Sequence, residues 1–253
     1  MARELIIGNK LAVEYVSHIG TDLTVVNAAR ISLAKTSDSL TDADRKLIKY
    51  LADHKHMSVF EHQTATFIVS CPLYIRSQIH RHRTFSYNEV SRRYTDDGIE
   101  FYIPDVFHKQ AVMNKQGSVE EFTIEENSEI KGIVEYCQKK MQEMYEKLIE
   151  KGVAKEEARC VLPTGLMTKF YMTGNLRNWM QFLAQRLNTH AQLEVRIIAQ
   201  KVFKELIVMF PLSVGAMMVT MFNEEILAGI RGEILPVNTM ENVVESKDNI
   251  ENK

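Results

Sequence analysis

Arg76, Arg81, Arg83, Arg92 and Arg93, with His80 and His82, are set against a single acid, Glu89, within eighteen residues. A charge run of this kind ordinarily reads as a solvated face. Here the cations are arginine rather than lysine, and a planar guanidinium fork grips phosphate or carbonyl oxygens two at a time. Ser86, Asn88 and Ser91 are interleaved with them, short polar side chains that hydrogen-bond a ligand without filling its space. The run also follows a strand-like segment and Pro72, a position where loops commonly carry sites. The chemistry such a stretch could do is local binding of an oxygen-rich anion.

Other reactive side chains are less pointed. His54, His56, His62, His80 and His82 are five of the eight histidines, and His-x-His pairs can suggest metal. No acid or cysteine completes a ligand set, so no metal is expected. Cys71, Cys137 and Cys160 are an odd, widely spaced set without a CxxC, which fits a reducing compartment rather than a disulfide framework or a zinc ribbon. Cys71 ends a strand pattern on its apolar side and Cys137 falls in a helical apolar stripe, so both read as core. Cys160 adjoins Arg159, and a neighbouring cation can lower a thiol pKa. Ser86 and Ser91 have no general base beside them except Glu89, and read as ligand-binding groups.

The stretch Arg81-His82-Arg83-Thr84-Phe85-Ser86-Tyr87-Asn88-Glu89-Val90-Ser91-Arg92-Arg93-Tyr94 resembles the signature of the flavin-dependent thymidylate synthases, and all nine fixed positions match. Asn27-Ala28-Ala29-Arg30-Ile31-Ser32, His54 through His62, Arg159 through Pro163, Asn175-Leu176-Arg177 and Arg186 through Gln192 are similar to further blocks of that family, in the same order. The resemblance covers about residues 25 to 210.

It implies reductive methylation of dUMP to dTMP, with 5,10-methylenetetrahydrofolate as carbon donor, FAD as hydride source and NADPH as reductant, and no cysteine nucleophile. It assigns dUMP contacts to Gln78, Arg81, Glu89, Ser91, Arg92, Arg93, Arg159 and Arg186, with Arg93 and Arg159 on the phosphate. Arg186 is assigned to the uracil edge, where a fixed cation favours the N3-ionised base. Arg92 departs from relatives with a small residue there, and its side chain is expected to point to solvent. FAD contacts carry over to Ser32, His56, Arg81, His82, Arg83, Glu89, Asn175, Arg177, Gln181 and His190; relatives often carry Asn in place of Gln181. A homotetramer with active sites between subunits is also implied.

These residues need a scaffold. Asp42 to His54 carries Leu47, Ile48 and Leu51 at helical spacing after cap candidates. Thr64 to Cys71 alternates, with Ala65, Phe67, Val69 and Cys71 on one side, and predicts a strand. Pro72 is placed as the first residue of a helical segment over Leu73 to Arg83. Ile130, Ile133, Cys137, Met141, Met144 and Leu148 predict a long helix stopped by Gly152, with an acidic, loop-like segment before Gly132. That stripe suits a core or a partner helix. Further helices are predicted from Asn175 to Leu187 and from about Ala191 to Phe210. The fold class is α+β, a mostly antiparallel sheet packed with long helices in a single domain over residues 1–238, with 239–253 a polar, frayed tail.

Composition closes off other classes. With 253 residues, 45% apolar and 25% charged, the chain is of ordinary globular make-up, and no apolar run reaches a membrane span. The start MARELIIGNK, with Glu4 and Lys10 around a very short apolar run, is not expected to be a signal peptide, and a cytoplasmic location is expected. Lys plus Arg number 31 against 33 acids, so a nucleic-acid-binding module, which needs overall basicity, is disfavoured. A Cys160-dependent transferase is the other competing reading.

Overall fold

The computed structural model describes residues 6–7, 11–95, 98–111 and 118–233. In chain order the elements are β1 (Ile6–Ile7), β2 (Ala12–Ile19), α1 (Asp22–Arg30), α2 (Asp42–Asp53), β3 (Thr64–Pro72), α3 (Leu73–Ile79), β4 (Ser86–Glu89), β5 (Glu100–Phe101), β6 (His108–Gln110), β7 (Ser118–Glu121), α4 (Ile124–Glu150), α5 (Lys155–Ala158), β8 (Met167–Asn175), α6 (Leu176–Arg186), α7 (Leu193–Met209), α8 (Pro211–Met221) and α9 (Glu224–Glu233). The class is α+β, with an antiparallel sheet of order β2-β3-β8-β4. Two-stranded pairs β1-β5 (parallel) and β6-β7 (antiparallel) complete the strands among the described residues. The tail from residue 239 lies outside the described residues.

The chain clusters into two compact units, each assembled from separated segments. The first unit comprises the chain up to Ala12, Ile68–His82 and Tyr87–Tyr171. Its core gathers Ile99, Phe101, Tyr145, Ala158 and Leu166, with Leu73, Leu148, Ile149, Val153, Val161 and Leu162 packed against them. The backbone N–H groups of Leu73 and Tyr74 donate to Leu166 O and Thr164 O, at 3.0 and 3.1 Å, where α3 leaves β3. Pro72 is the extended N-cap of α3 rather than its first helical residue, because its peptide still closes β3.

Helix α4 differs most from its sequence pattern. It starts at Ile124, so the acidic stretch before Gly132 is helical, capped by Thr123, whose Oγ1 accepts from Glu126 N while Glu126 reaches back to Thr123 N. Its buried residues are Gln138, Gln142 and Tyr145; Gln138 Nε2 donates to Tyr102 O at 3.0 Å. Most of the apolar stripe points outward instead, Leu148 apart: Ile133 and Tyr136 are 58% and 64% exposed, and Cys137, Met141 and Met144 are exposed too. The expectation that Cys137 is a core residue is therefore wrong, since in this helix the apolar side is not the side that packs on its own unit.

The second unit comprises Val13–Phe67, Arg83–Ser86 and the chain from Met172 onward. Here periodicity and packing agree. Ile48 and Leu51 of α2, Leu176, Trp179 and Leu183 of α6, and Ile198, Val202 and Leu206 of α7 are buried at helical spacing, while Leu47 and Met209 at the edges of their stripes are half-buried. Trp179 stands edge-on to Phe67 and Phe85, with ring centroids at 5.1 and 4.6 Å, and donates from Nε1 to Ala65 O. Gly174 lets Phe85 in: a Cβ there would come within 2.5 Å of the Phe85 ring. Asp22 of α1 closes this unit, accepting from Leu212 N, Ser213 N and Ser213 Oγ at 3.0, 2.9 and 2.6 Å, a carboxylate at the positive end of α8.

Candidate active site

In the first unit, β4 carries the middle of the signature, and its period of two puts Tyr87 and Glu89 on one side. The Tyr87 ring packs on His80 and Phe170, at 4.1 and 6.0 Å, and its hydroxyl donates to Ile79 O and His82 O, at 3.1 and 2.9 Å. That clamp fixes the turn bearing Arg81 and His82. Burial pushes the Tyr87 hydroxyl pKa up to about 12, so it stays a donor. Burial, then the charge of Arg76, lower the pKa of His80 against the opposing pull of Glu89. Cys71, buried at the end of β3, has its thiol pKa raised mainly by burial and is an inert core group.

At the end of β4 lies a cavity of about 620 Å³, lined by Leu73, Arg76, Glu89, Val90, Ser91, Arg92, Glu156, Arg159, Cys160, Leu162, Leu166, Met167 and Thr168. Glu89 is fully engaged in it. Oε2 accepts from Arg76 Nε at 2.9 Å and from Arg76 Nη2, and Oε1 accepts from Thr168 Oγ1 at 2.7 Å. Arg93 reaches Glu156 through Nε and Nη2, at 3.2 and 3.0 Å, and Arg159 Nε donates to the backbone oxygen of Glu156 at 3.1 Å. Arg92 does not point to solvent: it is half-buried, lines the cavity, and donates from Nη2 to Gly98 O at 2.8 Å. The carbonyl it holds belongs to Gly98, which has φ +61°.

In the second unit a cavity of about 650 Å³ is lined by Lys55, His56, Met57, Ser58, Arg177, Gln181, Thr220 and Met221. Arg177 and Gln181 are one helical turn apart on α6, on the face opposite its buried Leu176, Trp179 and Leu183. Asn175 caps that helix, its Oδ1 accepting from Asn178 N at 3.0 Å, and so sets the helix that carries both. Glu61 accepts from Arg177 Nη1 at 2.6 Å. The chain enters the cavity through a Schellman turn: His56 N donates to Leu51 O and Lys55 N to Ala52 O. Lys55 occupies the left-handed position of that turn, with φ +58°, where glycine is usual. The exposed His56 ring lies 6.4 Å from Tyr50, which stacks on His54 at 3.9 Å.

The first cavity thus brings together Glu89, Ser91, Arg92 and Arg159, with Arg93 attached through Glu156. The second brings together His56, Arg177 and Gln181. Gln78, Arg81 and His82 lie on or just after α3 in the first unit, outside the lining of its cavity. Ser32, Arg83, Asn175, Arg186 and His190 belong to the second unit but do not line its cavity. Ser32 Oγ donates to Ala29 O at 3.1 Å, and His190 N to Asn188 Oδ1 at 2.9 Å. Arg186, in the last turn of α6, is half-buried, and burial alone lowers its pKa. Sequence reasoning missed Glu156, Thr168, Lys55, Ser58 and Thr220. For Glu156 the available signal was an acid one helical turn before Arg159.

Residues 14–212 match the family model described as thymidylate synthase complementing protein. The flavin-dependent thymidylate synthase of Thermosipho melanesiensis is 40% identical over 190 residues, covering 74% of this chain and 82% of that protein. The chain belongs to the flavin-dependent thymidylate synthase family. Another member, from Thermus thermophilus, is 39% identical over 217 residues, covering 86% of this chain and 77% of its own length. Among solved structures, the UMP/dUMP methylase PolB from Streptomyces cacaoi bound with 5-Br dUMP aligns with a TM-score of 0.78 and 30% identity, over 86% of this chain and 98% of that one. Both cavities are built from residues inside the matched span except Thr220 and Met221.

Proposed function

We propose that this chain converts dUMP to dTMP, taking its carbon from 5,10-methylenetetrahydrofolate. The observation that carries the reading is the gathering of signature residues Glu89, Ser91 and Arg92 with Arg159, from a distant segment, around one cavity. Arg93 and Arg159 supply the guanidiniums for the phosphate, and Ser91 a hydroxyl beside them. Arg186 keeps its charge at neutral pH despite partial burial and holds the N3-ionised uracil, which makes C5 nucleophilic. Gln78 and Arg81 complete the nucleotide contacts.

The second cavity's residues fit a flavin. Lys55, Arg177, Gln181 and Ser58 offer donors for phosphate and ring carbonyls, while Met57 and Met221 offer soft apolar surface. FAD, recharged by NADPH, supplies the hydride when bound. His56, Arg177 and Gln181 bind it, with Ser32, Arg81, His82, Arg83, Glu89, Asn175 and His190 as further contacts. The outward apolar face of α4 supports a homotetramer with active sites between subunits, and the enzyme is assigned to the cytoplasm; among the described residues no helix is long and apolar enough to cross a membrane.

Cys160 favours a second reading, because it is exposed and lines the same cavity as Arg159, where a thiolate could attack uracil. Turnover of dUMP with FAD, NADPH and methylenetetrahydrofolate, followed chromatographically as dTMP, separates the two. Arg186→Ala is expected to lower it by about 10²-fold or more, and Cys160→Ala to leave substantial activity. A dead Cys160→Ala beside an active Arg186→Ala would overturn the thiol-free mechanism.

A further inference from the structure

The two acids in the nucleotide cavity are held in opposite ways. Both oxygens of Glu89 are taken, by Arg76 and Thr168, and its side chain is only 18% exposed. Glu156 uses one oxygen, Oε2, to receive both Arg93 donors, and the two side chains are 50% and 53% exposed. The pair joins segments 63 residues apart. Glu156 meets the second phosphate arginine as well, since its backbone oxygen accepts from Arg159 Nε. Its own main chain is anchored, because Ala158 and Val153 on either side pack into the core of that unit. One residue therefore occupies both arginines expected to receive the phosphate.

We propose that Glu156 is an internal competitor for the phosphate seat. Its carboxylate holds Arg93 when no nucleotide is present, gives way to the phosphate dianion, and returns to help release the monophosphate product. The inference rests on the reading of this cavity as the dUMP site. A carboxylate brings one charge and two oxygens, whereas a phosphate monoester brings about two charges and three oxygens, so the exchange favours the nucleotide. A half-exposed pair of this kind holds its partner by no more than about fivefold in an equilibrium constant, so it moderates binding without blocking it. Glu89 cannot play this part, because moving it would strand Arg76 and Thr168.

Calorimetric titration of the FAD-loaded full chain with dUMP, dTMP and deoxyuridine tests this. Glu156→Gln keeps the side chain's size and loses its charge; Glu156→Ala removes the new amide, should it take over Arg93. Both variants are expected to bind dUMP and dTMP about two- to fivefold more tightly and deoxyuridine, which lacks the phosphate, unchanged. Unchanged or weaker binding of dUMP by both variants overturns the competition, as does an equal gain for deoxyuridine. Wild-type protein that binds none of the three sinks the dUMP reading itself, whereas wild-type binding without a gain in the variants sinks only the role of Glu156.

Discussion

The two cavities are nearly equal in volume but differ in their electrostatics and construction. Around the first, Arg76, Arg92, Arg93 and Arg159 meet Glu89 and Glu156, leaving guanidinium charge in excess for an anion. The second has Lys55 and Arg177 with Glu61 on the arginine, and Met57 and Met221 among its walls. The first follows a strand and a contiguous signature; the second is drawn from the end of α2, one face of α6 and the last turn of α8. The contrast teaches that a surplus of guanidinium charge suits a small dianion and mixed walls suit a larger, partly apolar ligand, which is the basis of the proposed division between nucleotide and flavin.

The sharpest way to break this comparison is a crossed pair of substitutions. Arg159→Ala is expected to weaken dUMP binding about 10- to 100-fold while FAD binding is retained, and Arg177→Ala to do the reverse. Titrations of each variant with each ligand check this, and a symmetric loss would erase the distinction between the cavities. A smaller effect concerns the frame of the first cavity. His80 Nε2 is buried without a hydrogen-bond partner among the described residues, and its pKa is lowered from 6.5, so the unfolded chain takes up a proton more readily. The stability His80 supports is complete above about pH 6.5 and is lost as pH falls from there toward the lowered folded value. Denaturant melts at pH 7.5 and 5.5 should show that loss, at less than about 1 kcal/mol per pH unit for a half-buried ring, and His80→Phe should flatten it.

The smallest expected effect lies at the mouth of the second cavity. A left-handed non-glycine costs roughly 1–2 kcal/mol and glycine's extra unfolded-state freedom roughly 0.5–1 kcal/mol. Lys55→Gly should therefore stabilise the chain by about 0.5–1 kcal/mol in thermal melts, while removing one cation from the cavity and slightly weakening FAD.

Much of this contrast was legible in the sequence, but unevenly. The strand over β3 and the helices α2, α6 and α7 show in their periodicity because one side of each packs inward. The residues from Glu89 to Arg93 stand together in the chain and read as a site directly. Helix α8 gives no such stripe, since PLSVGAMMVTM is apolar nearly all round, so Thr220 and Met221 could not be placed. Helix α4 misleads, because over most of its length Gln138, Gln142 and Tyr145 rather than Ile133, Met141 and Met144 face its own unit. Glu156 is invisible as a partner of Arg93 until folding brings 63 intervening residues together.

The clasp of Asp22 on the start of α8 also bears on how the protein is made. It spans 190 residues, so at roughly 5–20 residues per second a ribosome needs about 10–40 s between delivering the carboxylate and delivering the amides that donate to it. During that interval Val25, Val26 and Phe60, all fully buried in the finished fold, emerge without the α6 and α8 helices of their own unit. The second unit therefore completes its folding late in translation, and its N-terminal helices are natural clients for chaperones in the meantime.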